Sequence, residues 1–313
     1  MKVIIDGITV DVEAGTTILA AARKIGGEIV PPAMCYYTPL KGSGGKCRTC
    51  LVKVAAGSTA DPRPMPKLVP SCSTICQEGM IVENITNPQV LDARKGVTEF
   101  LLINHPLDCP ICDQAGECDL QDLAFEHGLE KTRYHEGRRE FEPTDLGENI
   151  KLHMNRCIMC FRCVMVADQL TDTRQHGILN RGDMVEIGTY IEQYLNHDFI
   201  GNVIDVCPVG ALTDRSFRFK SRVWFTNQFL AHRDCDKCCG RTIIHKVGDD
   251  IVRVSARKDA YGEVTEWICN TCRFETKNNE SWVLEGPNHI DHHSVQNQGH
   301  YELDDTNEIK ELQ

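Results

Sequence analysis

Alternation opens the chain. Val3, Ile5, Ile8, Val10 and Val12 sit among polar positions on either side of Asp6-Gly7, which predicts two short strands over 2–12 joined by a tight turn. The period then becomes helical: Thr16 or Thr17 caps a short Ala/Leu/Ile helix that Gly26-Gly27 closes. A third strand over 51–54 follows Cys50, and 80–82 is strand-like. This order suits a small half-open sheet wrapped on one helix.

Asn87-Pro88 is a cap with proline at the first helical position, and Leu91, Val97, Phe100 and Leu101 continue the helical spacing up to Asn104-His105-Pro106. A second helix is expected over 113–125. Residues 130–148 are charged and contain Pro and Gly, as a connector would. Short helix and strand signals alternate over 150–219. Residues 223–275 predict a small unit with strands over 243–247 and 251–254 about a Gly-Asp-Asp turn. From 276 the chain is polar, His-rich and acidic at its end, so a core of its own is not expected there. The fold class is α+β, in several domains.

Composition narrows the chemistry. The chain has 313 residues, enough for two or three domains, and 17 cysteines, many in C-x2-C steps. Such an odd set suits metal or redox sites better than a disulfide framework. A net charge of -11 without clustered Lys or Arg argues against nucleic acid. No secretory signal opens the chain and no run reaches ~20 apolar residues, so neither export nor membrane insertion is expected. A reducing, cytoplasmic-side compartment would keep the thiols free for metal.

Three cysteine groups carry most of the signal. The first is Cys35, Cys47, Cys50 and Cys72, with Lys41-Gly-Ser-Gly-Gly-Lys46 inside it. Closely spaced glycines let backbone N–H groups approach sulfide and thiolate, as in a [2Fe–2S] loop of three near cysteines and one distant one. Lys46 and Arg48 are candidates for tuning that site or are simply solvated. Cys76 is expected to be a buried free thiol. The second group, His105, Cys109, Cys112 and Cys118, falls within 14 positions, compact enough to wrap a [4Fe–4S] cubane with one imidazole ligand. The third is Cys157, Cys160, Cys163 and the distant Cys207-Pro208, the bacterial ferredoxin spacing. A second cubane would need cysteine at Ala167, His197, Ile200 and Val203, so one cubane is expected. Zinc is the competing reading for each group.

A fourth group is open. Cys235-x2-Cys238 and Cys269-x2-Cys272 could hold zinc, a further [4Fe–4S] cluster or nothing, with Cys239, His232 or His245 as substitute ligands. His289, His292, His293 and His300 could bind metal, although such a tail more often drapes over a neighbouring subunit or stays solvated. Trp282 could anchor it. No G-x-G-x-x-G follows a strand and no nucleophile or phosphate loop is evident, so catalytic residues are expected to be none.

Residues 104–121 (NHPLDCPICDQAGECDLQ), 156–163 (RCIMCFRC), 188–191 (GTYI) and 201–213 (GNVIDVCPVGALT) resemble the family of the large iron–sulfur subunit of respiratory complex I, NADH:quinone oxidoreductase. The likeness covers residues 1 to about 275. It implies a [2Fe–2S] β-grasp domain over 1–82, a [4Fe–4S] domain with one His and three Cys ligands over 83–140, and a ferredoxin-like [4Fe–4S] domain over 141–222. Next come a truncated molybdopterin-oxidoreductase-like cysteine-rich domain over 223–275 and an extended tail over 276–313. It also implies an electron-transfer subunit without a complete active site, at the cytoplasmic side of the inner membrane in the peripheral arm. Its partners would be a flavin- and NADH-binding subunit and quinone-module subunits. The alternative is a diaphorase-type iron–sulfur subunit of a soluble NAD-linked hydrogenase or formate dehydrogenase, relatives that keep two ferredoxin cubanes. Family members with a fourth cluster carry C-x2-C-x3-C before a distant cysteine, whereas the third position here is Thr242.

Overall fold

The opening alternation forms a hairpin, β1 (Lys2–Ile5) and β2 (Ile8–Asp11), with Asp6 and Gly7 at φ 46° and 82° in its turn. Helix α1 (Ile18–Ile25) starts at Thr17, whose hydroxyl accepts from the Ala20 N–H, and stops at Gly26 at φ 81°. In this computed structural model all residues are described except 130, 143, 190–193, 289–300, 304–308 and 312–313. Strand β3 (Leu51–Ala56), the short β4 (Val69–Pro70) and β5 (Ile81–Glu83) complete a mixed sheet of order β2-β1-β5-β3-β4, in which β1 and β5 run parallel. Val3, Ile5, Val52, Val54 and Val82 from the sheet bury against Ile18, Ala21 and Ala22 of α1. Leu19 faces elsewhere and packs with Cys50 and Cys72. One helix thus supplies both the core and the floor of the first cysteine group.

Helix α2 (Pro88–Leu102) is capped by the Asn87 side chain with proline at its first turn. Its Arg94 is 2% exposed and reaches the Leu51 carbonyl (3.2 Å) and Asn84, which ties α2 to the strand after Cys50. Helix α3 (Asp119–His127) is shorter than expected, beginning at 119 instead of 113. Residues 113–118 are spent on a turn in which Gly116 sits at φ 88° and a cysteine must face inward.

Contacts divide the chain into two units. One comprises Met1–Tyr36, Gly42–Ile103 and Leu123–Gly137. The other comprises Tyr37–Lys41, Asn104–Asp122 and the chain from Arg138 onward. In the second, β6 (Ile150–Leu152) pairs antiparallel with β9 (Leu212–Asp214), and β7 (His176–Leu179) with β8 (Glu186–Thr189). Helices α4 (Arg162–Gln169) and α5 (Asn202–Asp205) pack together between these ribbons. A four-stranded antiparallel sheet follows, of order β12-β11-β10-β13: β10 (Asn227–His232), β11 (Arg241–Val247), β12 (Asp250–Ser255) and β13 (Val283–Pro287).

Strand β13 joins the start of the tail to the preceding sheet, with Trp282 as its anchor. Trp282 is 6% exposed, its indole N–H donates to the Thr276 carbonyl at 3.1 Å, and the next residues join the sheet. Beyond them a small ribbon pairs β14 (Tyr301–Leu303) with β15 (Ile309–Glu311). The four tail histidines lie outside the described residues. Among the described residues no helix is long and apolar enough to cross a membrane.

Candidate metal centres

In the first group the glycine loop turns its backbone toward sulfur. The Gly45 N–H donates to Cys72 Sγ (3.1 Å), and the Lys46 and Cys47 N–H groups both donate to Cys35 Sγ (3.3 Å each). Gly44 is at φ 101°, and a Cβ there would lie 3.1 Å from Cys72 Sγ and 3.3 Å from the Tyr36 ring. All four thiols are buried. The Ile18 and Leu19 N–H groups at the start of α1 donate to the Thr74 and Ser71 carbonyls, and Ser71 N–H to the Cys50 carbonyl, so the distant Cys72 is fastened to helix and loop at once. Such converging donors favour anionic sulfur and fit a [2Fe–2S] group. The Lys46 ammonium donates to the Gly44 carbonyl and is exposed, as is Arg48. Cys76 stands apart, in the core beside Met80 and Val82, where burial pushes its thiol up to about 11.

The second group occupies one loop. Cys109 begins a tight turn, Cys109–Ile111, and Cys112 and Cys118 are buried. Burial, reinforced by the Arg156 guanidinium and opposed by Asp108, brings His105 down to about 4, so its imidazole is neutral at pH 7, the form that binds metal. Gly210 is the residue that the motif spacing does not reveal: a Cβ there would come within 2.1 Å of Cys112 Sγ. Arg156 is 3% exposed, donates to Asp108 through Nε (2.9 Å) and through Nη2, and reaches the Gly210 carbonyl.

In the third group Met159 and Phe161 take left-handed conformations at φ 56° and 62°, which coils the Cys157-x2-Cys160-x2-Cys163 loop. Cys157, Cys160, Cys163 and Cys207 border one cavity whose remaining walls, including Leu152, Ile158 and Ile187, are apolar. Burial pushes the thiols of Cys157, Cys163 and Cys207 up, so in this dry pocket they ionise only against a cation. Four cysteines edging one apolar void are the donor set that a cubane needs. The Pro208 carbonyl, next to Cys207, accepts from the Asp119 N–H and lies 3.9 Å from Cys118 Sγ. The second and third groups therefore touch through one residue.

The fourth group is different in scale. Sγ of Cys235, Cys238, Cys269 and Cys272 all lie within 4.8 Å of one another, which among the described residues holds for this set alone. Cys239 is exposed and turns to Glu266 (3.5 Å), His232 pairs with Glu285 (2.9 Å), and His245 bonds Ser255 (2.9 Å). None of these three substitutes joins the tetrad.

The comparisons with known proteins cover most of this ground. Residues 1–87 match the family described as a 2Fe-2S iron-sulfur cluster binding domain, 94–133 the NADH-ubiquinone oxidoreductase-G iron-sulfur binding region, and 147–213 the ferredoxin-like domain of NADH-quinone oxidoreductase subunit 3. The G subunit of NADH-quinone oxidoreductase from Rickettsia prowazekii is 40% identical over 275 residues, 88% of this chain and 39% of that protein. The mitochondrial NADH-ubiquinone oxidoreductase 78 kDa subunit of Neurospora crassa is 41% identical over 277 residues, again 88% of this chain and 35% of that protein. The chain thus spans well under half the length of these curated relatives. A chain in the crystal structure of an NAD+-reducing [NiFe]-hydrogenase in the H2-reduced state shares the fold, with a TM-score of 0.59 at 24% identity, over 71% of this chain and 90% of that one. Domains that bind 2Fe-2S and 4Fe-4S clusters are present, and over the matched residues the chain is similar to the large iron–sulfur subunit of NADH-quinone oxidoreductase.

Proposed function

We propose that this chain relays single electrons within an NADH:quinone oxidoreductase, from a flavin-bearing NADH dehydrogenase subunit toward quinone-reducing subunits. Three ligand sets carry the reading: Cys35, Cys47, Cys50 and Cys72 for [2Fe–2S], then His105, Cys109, Cys112 and Cys118, and Cys157, Cys160, Cys163 and Cys207, each for [4Fe–4S]. Iron–sulfur clusters supply the one-electron chemistry when bound. The chain supplies ligand identity, backbone donors to sulfur, dryness and placement. The observation that weighs most is the contact of Pro208 with Cys118 and Asp119, which brings two ligand sets to one residue. We place the protein in the peripheral arm, on the cytoplasmic side, with domains over 1–82, 83–140, 141–222 and 223–275.

Cys207→Ser tests the assignment. One [4Fe–4S] signal should vanish from the EPR spectrum of the dithionite-reduced protein while the others persist. An unchanged spectrum would mean that the ligand set is wrong. A diaphorase-type subunit of a soluble NAD-linked hydrogenase or formate dehydrogenase is the second reading, favoured by the shared fold of the hydrogenase chain. Ala167, His197, Ile200 and Val203 stand against it where a second cubane needs cysteine. Co-purification with hydrogenase activity would decide for it.

A further inference from the structure

We infer that Cys235, Cys238, Cys269 and Cys272 hold one zinc ion as a structural staple, in place of the fourth cluster that some members of the family carry. Sulfur-to-sulfur distances decide it. Cys235 and Cys269 are 3.7 Å apart, Cys235 and Cys238 3.8 Å, and Cys238 and Cys272 3.7 Å. A tetrahedral zinc with Zn–S of about 2.3 Å requires sulfurs about 3.8 Å apart. A cubane sets four irons between its thiolates and drives them farther apart than the 4.8 Å that bounds this set. The third group shows the contrast within the same unit, since its four cysteines border a cavity.

The backbone around the tetrad is built as two knuckles. The Gly240 N–H points at Cys238 Sγ (3.4 Å) and the Cys272 N–H at Cys269 Sγ (3.5 Å). Gly240 is at φ 69°, and a Cβ there would strike the Arg233 carbonyl at 2.0 Å, so the first knuckle closes only with glycine. Zinc with four thiolates leaves net negative charge, and Arg233 Nη1 stands 3.7 Å from Cys272 Sγ to meet it. The sequence has no third cysteine at Thr242, which is buried in β11.

The staple has a mechanical purpose. Cys235 and Cys238 lie in the connection between β10 and β11, whereas Cys269 precedes and Cys272 lies within a single wide helical turn, Thr271–Glu275. That turn is bolted to the ferredoxin-like part: Asn270 binds Gly201 N–H and the His197 carbonyl, and Arg273 pairs with the buried Asp205. Zinc has no redox chemistry, so the site holds the segment in place and carries no electron.

The test is zinc and iron per chain on the anaerobically purified full chain, with zinc K-edge X-ray absorption on the same sample. Expected are about one zinc and about 10 iron atoms from one binuclear and two cubane clusters, with four sulfurs at about 2.3 Å around zinc. Cys238→Ser should lower the bound zinc at least tenfold. About 14 iron without zinc, one iron in zinc's place, or nitrogen and oxygen neighbours around zinc would each overturn the inference, and the wild-type measurement decides even if the variant fails to fold. Zinc with four sulfurs but little iron would sink the electron-relay reading and leave the staple standing.

Discussion

At the scale of single residues, buried groups set the response to acid. His176 is 2% exposed and neither ring nitrogen has a partner. Burial alone brings it down to about 4 from 6.5. A lowered histidine is neutral in the folded chain, so no stability is lost above pH 6.5. As pH falls toward 4 the unfolded chain takes up the proton first and the fold weakens. Between pH 7 and pH 5 this amounts to ~2 kcal/mol. His176→Leu removes the penalty. Its thermal midpoint should fall less than the wild type's over that interval, and parallel curves would refute the role of the ring. The proposed ligand cysteines group in the sequence because C-x2-C and C-x2-C-x2-C put donors on one short loop. Gly210 was not legible, because what demands glycine there is the sulfur of Cys112, brought near only by the fold.

At the scale of elements, the hairpin, α1 and the Asn87-Pro88 helix start were legible because period, cap and turn agree locally. The start of α3 was misplaced because a left-handed glycine inside a helical-looking stretch leaves apolar spacing unchanged. Strand β13 was missed for a different reason. Its VLEGP lacks alternation, and it becomes a strand by pairing with β10 across a bulge between Leu230 and Ala231. Trp282 is what holds it, through the indole bond to Thr276 and the Arg233 guanidinium 5.9 Å over its ring. Trp282→Ala should cost about 3–5 kcal/mol, the range for emptying a large aromatic site. Hydrogen exchange should then rise in Asn227–His232, which loses its outer neighbour, and unaltered protection there would mean that β13 holds by backbone pairing alone. The iron content should not change, since none of the three proposed cluster sets lies on this sheet.

At the scale of the whole chain, the partition into two units makes a spectroscopic prediction. The proposed [2Fe–2S] ligands lie in one unit, and the two proposed [4Fe–4S] sets lie in the other, joined by Arg156. This guanidinium precedes Cys157, pairs with Asp108 beside Cys109, and bonds the carbonyl of the glycine that Cys112 presses on. Arg156→Met leaves Asp108 without its partner and removes a positive charge close to both sets. Breaking such a pair from one side costs about 3–5 kcal/mol, and the lost charge makes reduction harder, so both [4Fe–4S] potentials should fall. Arg156→Lys keeps the charge but not the two-pronged grip, so it should preserve the potentials while still losing stability. EPR-monitored redox titration of the three proteins separates these effects. A shift confined to one [4Fe–4S] signal would show that Arg156 serves a single cluster. If Arg156→Lys moved the potentials as far as Arg156→Met, geometry would be the cause and the charge argument would fail.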